Sequence, residues 1–145
     1  MTTLPSNVSY GTVVGRYLIA YQDGIDADVY PDGVPCTGKI YFTPSVASLR
    51  NATSSPTPVT ILPRPVVCEL NVDGYLTGPD GNLGVRLIAT DDVDNDPVNW
   101  TWKVEYQLSD QAGTFLRGIS SHDISLSGGT TLDLITVAPV AGLVG

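Results

Sequence analysis

A chain of 145 residues is long enough for one ordinary domain with one hydrophobic core. With 42% hydrophobic but only 15% charged residues, its surface has to be built largely from Thr, Ser, Asn, Gly and backbone. Fifteen acidic against seven basic side chains leave a net charge of −8 and no basic cluster, which argues against nucleic acid partners and a polybasic membrane-surface role.

The start, MTTLPSNVSYG, has neither the positive charge nor the apolar run of a signal peptide, and no later stretch approaches the length of a membrane span. The expected setting is therefore a reducing cytosol with Cys36 and Cys68 as free thiols. Two cysteines without metal-type spacing make no disulfide framework. The segment 1–10 carries no obvious intrachain role. TVVGRYLIAYQ (12–22) is the first substantial strand, with Gly15 marking a bulge or close packing. QDGIDADVYPDGVP (22–35) follows as an acidic surface loop; Asp23, Asp26, Asp28 and Asp32 are more loosely spaced than calcium-loop ligands, and metal binding there is the lesser reading.

Period-two alternation then takes over, with helical periodicity nearly absent. TGKIYFT (37–43) places Gly38, Ile40 and Phe42 on one face, and extending that face backward reaches Cys36. NATSSPTP (51–58) is a small-residue loop. PVVCELNV (65–72) aligns Val66, Cys68, Leu70 and Val72, so both cysteines fall on apolar faces as small core residues. Asp73-Gly74 between Val72 and Tyr75 is the strongest two-residue hairpin signal, because the turn needs positive φ. GPDGN separates YLT (75–77) from the strand GVRLIAT (84–90).

DDVDNDPVNWTWKV (91–104) reads two ways. Asp92, Asp94 and Asp96 match the opening rhythm of a calcium loop, but Pro97 stands where that loop needs Gly and Lys103 where it needs a bidentate Glu. The three acids are thus weak metal candidates, and a solvated turn is the better reading, since Asp and Asn hydrogen-bond their own backbone in turns. NWTWKVEYQLS (99–109) is the clearest strand: Trp100, Trp102, Val104, Tyr106 and Leu108 face one way, with Thr101, Lys103, Glu105 and Gln107 opposite. SHDISLS (121–127) and TLDLITV (131–137) also read as extended, joined through Gly128-Gly129. The apolar, uncharged stretch VAPVAGLVG (137–145) reads as an extended segment that lies on a neighbouring subunit or joins onto something larger.

About seven or eight short strands with Gly, Pro or Asp punctuation make an all-β protein, a single antiparallel β-sandwich domain over 1–145. Its expected core includes Trp100, Trp102, Val104, Tyr106, Ile40, Phe42 and Leu70. No catalytic constellation emerges. His122, the only histidine, and Asp123 point to opposite faces of a strand. Glu69 and Glu105 lie on polar strand faces, and no nucleophile elbow, phosphate loop or dinucleotide fingerprint occurs. The expectation is a non-enzyme without catalytic residues, cofactor or metal.

The run of YPDGVPCTGKIYFTPSV, VTILPRPVVCELNVDGYL, GVRLIATDD, VNWTWKVEYQLSD and TTLDLITVAPV, from about Tyr10 to Val140, resembles small minor tail proteins and the opening modules of tail fibres of long-tailed phages that infect actinobacteria. That resemblance implies an all-β module, a homotrimer built into the virion among other phage structural proteins and assembled in the host cytoplasm. It supplies no catalytic residue. Fibres of this kind continue into a shaft or tip, whereas this chain stops at Gly145, so the expectation is a compact tail adaptor or fibre-base piece. A capsid decoration or head-fibre protein is the alternative. A host-glycan-binding module, with Tyr21, Tyr30, Tyr41 and Tyr75 as stacking candidates, is the second.

Overall fold

The computed structural model describes residues 4, 7–21, 32–53, 57–110, 113–114 and 121–136. They form an all-β fold whose strands are β1 (Tyr10–Val14), β2 (Leu18–Tyr21), β3 (Asp32–Pro35), β4 (Thr37–Pro44), β5 (Leu49–Asn51), β6 (Val59–Ile61), β7 (Val66–Leu70), β8 (Leu76–Thr77), β9 (Val85–Ile88), β10 (Asn95–Asp96), β11 (Trp102–Ser109), β12 (His122–Ile124) and β13 (Thr131–Asp133). Among the described residues there are thus thirteen strands, not seven or eight, because short pairings of two or three residues escape a periodicity reading. The sheets are β12-β11-β4-β7-β8, β13-β1-β9, β10-β5-β6 and the hairpin β2-β3. The named strands pair antiparallel except β1 with β13, which run parallel, and the isolated bridge Thr77↔Gly84 is parallel too, so the purely antiparallel expectation is corrected there.

The five-stranded sheet is centred on β4 and β11, paired from Trp102↔Pro44 to Ser109↔Thr37. Alternation sends Ile40 and Phe42 from β4, Trp102, Val104 and Leu108 from β11, and Cys68 from β7 into one hydrophobic cluster. Val13, Val85 and Leu87 enter it from the β13-β1-β9 sheet, and Leu49 and Ile61 from β5 and β6. Trp102 also joins two sheets by a hydrogen bond, its indole Nε1 donating to the Ile88 carbonyl at 3.0 Å. A buried indole N–H needs such a partner. Trp100 packs at 5.2 Å from Trp102, ring centre to ring centre, and is itself buried. Tyr106 and Leu70 are half-buried and pack against the cluster from its margin.

Four further sequence expectations change. The stretch 12–22 is two strands, because Gly15–Tyr17 leave the sheet to pair elsewhere: Leu76 N donates to Gly15 O, Tyr17 N to Gly74 O, and Cys36 N to Tyr17 O. The 71–75 hairpin is not a two-residue turn. Gly74 N donates to Asn71 O, and Asn71 N to Tyr75 O, closing a three-residue loop with Gly74 at φ 83°. Asn71 Oδ1 accepts from the Asp73 and Tyr75 amides and holds that loop, which leaves Val72 87% exposed rather than in line with Cys68. Finally, TLDLITV is extended only through Asp133 and continues as a 3-10 turn, Leu134–Thr136. Asp133 Oδ1 accepts from Ile135 N, and Thr136 Oγ1 donates to Asp133 O, so local side-chain bonds outcompete the strand there.

Candidate functional sites

The acidic loop is the first place where chemistry was conceivable. The structure gives its three acids different settings. Asp92 is 8% exposed, and its carboxylate accepts from Ser9 N at 2.9 Å through Oδ2 and from Asp94 N at 3.0 Å through Oδ1. Asp94 Oδ1 accepts from the Thr53 hydroxyl, and Asp96 is exposed on β10 beside a cis bond to Pro97. Among the described residues, no three His, Cys, Asp or Glu side chains are placed to hold a metal ion. The loop is also not a simple solvated turn, because Asp92 and Asn95 are buried.

What the loop does is tie the N-terminal segment down. Asn7 and Asn51 exchange amide hydrogen bonds, each Nδ2 donating to the other's Oδ1 at 3.0 Å. Asn7 Nδ2 also reaches Thr53 Oγ1 at 3.0 Å. Val8 is buried in the hydrophobic cluster, so residues 7–10 have an intrachain role that the sequence did not reveal. Asn51 is wholly buried, at the end of β5. The segment 137–145, the acids Asp23, Asp26 and Asp28, and Tyr30 lie outside the described residues.

Cys36 and Cys68 are both buried and free. Burial pushes both thiols up, Cys68 to about 12, so neither supplies a thiolate nucleophile near neutral pH. Glu69 and Glu105 lie on the outer face of the five-stranded sheet, Glu69 opposite Lys39 at 4.0 Å in an exposed pair worth little. Tyr41 donates to Gln107 Oε1, and Tyr75 lies under the Arg16 guanidinium, 4.7 Å from its ring centre.

A second cluster was not anticipated. His122 Nε2 meets the Tyr106 hydroxyl at 2.8 Å, and the two rings stack with centres 5.7 Å apart. Tyr17 sits edge-on to Tyr106 at 6.0 Å. The Tyr17 hydroxyl and His122 Nδ1 are both buried without a hydrogen-bond partner. Burial raises Tyr17 and Tyr106 above the usual phenol range, and lowers His122, with Asp123 opposing that last shift through its main chain and its carboxylate. The alternation of SHDISLS signalled which face His122 takes; its tyrosine partners come from strands far away in sequence.

At the surface, a shallow groove of about 460 Å³ runs over the β13-β1-β9 sheet, lined by Ser9, Tyr10, Thr12, Arg86, Gly129, Thr130 and Thr131. Elsewhere large aliphatic side chains stand out of the fold: Val72 and Val93 at 87% exposure, Leu83 at 64%, Leu62 at 63% and Ile135 at 61%. Four of these, Val72, Val93, Leu83 and Leu62, lie on connections between strands, where polar residues are the rule. No helix among the described residues is long and apolar enough to cross a membrane. Compared with protein-family models, curated proteins and solved structures, the chain matches none.

Proposed function

We propose that this chain is a structural component of a bacteriophage virion, a minor tail protein that acts as an oligomeric tail adaptor or fibre-base module. The observation that carries this reading is the set of exposed aliphatic side chains on connections of a chain with few charges. Isolated apolar residues on a surface are ordinary. Val72, Leu83 and Val93, however, stand exposed on connections between strands, and covering them stabilises by about 25 cal/mol per Å² removed from water. The resemblance of YPDGVPCTGKIYFTPSV and VNWTWKVEYQLSD to phage tail modules supports the same reading and points to three copies around an axis. Size-exclusion chromatography with light scattering on the isolated protein is expected to give a trimer. A monomer at high concentration sinks the oligomer. Labelled antibody imaging of the intact particle then separates a tail position from the alternative, a capsid decoration.

The groove over β1 favours a second reading, a host-glycan-binding module. Tyr10, the hydroxyls of Ser9, Thr12, Thr130 and Thr131, and Arg86 supply an aromatic face with donors and acceptors. Binding on a glycan array that disappears in Tyr10→Ala promotes this reading; an array without signal removes it.

A further inference from the structure

We propose that His122 and Tyr106 form an acid-sensitive latch that holds the N-terminal end of β12 on the five-stranded sheet at neutral pH and lets it go on acidification. β12 is a strand of three residues at the edge of its sheet, paired among the described residues with β11 alone through Trp102↔Ile124, Lys103↔Asp123 and Val104↔His122. Its C-terminal end is anchored independently. Ile124 is in the core, and Leu126 beyond it is buried and bonded to Thr90 through both its amide and its carbonyl. Its N-terminal end rests on the His122 side chain, which turns to the core side of the sheet and stacks on Tyr106.

The chemistry of the imidazole makes that contact conditional. A neutral ring has one donor and one acceptor nitrogen. With Nε2 bonded to the Tyr106 hydroxyl at 2.8 Å, Nδ1 remains buried and unpartnered in either tautomer. A second proton turns both nitrogens into donors, and the buried Nδ1 then carries part of a cation that the Asp123 main chain and carboxylate offset only in part. The groups around the ring do not relieve this. β11 contributes Tyr106, held neutral by burial, and Tyr17 packs behind it from the β1–β2 connection, facing Cys36 and Asp133. Asp123, on β12 itself, is exposed, pairs across from Lys103 on the solvent face, and offsets only part of the desolvation.

Because His122 is the only histidine, its imidazole gives one set of nitrogen resonances and can be titrated in the intact protein by NMR. The expected result is a midpoint below 6.5, with the backbone amides of residues 122–123 and 103–104 moving on the same curve while Ile124 and Leu126 stay in place. Tyr106→Phe keeps the stacked ring and the burial that lowers the midpoint, so the midpoint should stay below 6.5. His122→Phe keeps a ring to stack on Tyr106 but cannot titrate, so the acid response of those amides should vanish. A midpoint at or above 6.5, amides that ignore the titration, or an unchanged response in His122→Phe each overturns the latch.

Discussion

At the residue scale, buried polar side chains do the structural work that the short strands cannot. Asp92 is the clearest case, since its carboxylate satisfies the Ser9 and Asp94 amides and so connects the N-terminal segment to the loop before β10. Hydrogen bonds to a charged acceptor contribute about 1.5–3 kcal/mol. Asp92→Ala should therefore lower stability by about 2–3 kcal/mol in urea unfolding, whereas Asp96→Ala, on an exposed side chain, should be close to neutral. His122 sets a pH dependence of opposite origin. Its proton affinity is lowered in the folded state, so the unfolded chain binds the proton first. Stability is then full above pH 6.5 and falls as the pH drops through 6.5 toward the lower folded value, a slope that His122→Phe should flatten in that window. Cys36 and Cys68, with thiols raised by burial, should resist a thiol reagent at pH 8 until the protein is unfolded, and then both react.

At the element scale, the long pair β4–β11 is the frame on which the shorter strands assemble. Its far end depends on Gly38, whose φ of 127° and close approach to the Gln107 carbonyl leave no room for a Cβ. Gly38→Ala should cost more than about 1 kcal/mol, because both the backbone conformation and the register with Leu108 are incompatible with it. Thermal unfolding with a matched Gly113→Ala, where a Cβ would meet nothing, separates the steric part from the conformational part. The long strands were legible in TGKIYFT and NWTWKVEYQLS because many alternating residues reinforce one pattern. The pairings β5–β6 and β10–β5 were not, since two or three residues carry no period and their partners are set by distant chain segments. In the same way, TLDLITV alternates like a strand, yet the Asp133 and Thr136 side chains turn the chain into a 3-10 turn.

At the scale of the whole molecule, a buried hydrophobic core is joined by connections several of which expose aliphatic side chains. If those connections make the contacts between copies, assembly should survive high salt, since burial of apolar surface is not screened as exposed ion pairs are. Sedimentation in 0.1 M and in about 1 M salt checks this. Dissociation at the higher salt points instead to charged contacts. Serine at Val72, Leu83 and Val93 together should shift the oligomer toward monomer without unfolding it, because each side chain is already mostly in water.

By itself, the sequence determined the all-β class, the identity of the two longest strands, and the burial of Ile40, Phe42, Trp100, Trp102 and Val104. Those properties follow from local alternation, which any reader of the chain can follow residue by residue. Only the tertiary structure decided that Asp92 is a buried tie rather than a solvated turn, and that Asn7 and Val8 belong to the fold. It alone brought Tyr17, Tyr106 and His122 together. A hydrogen-bond partner or a ring contact 16 to 89 residues away leaves no periodic trace in the chain. Such contacts arise when strands pair and sheets stack, and both are properties of the whole molecule.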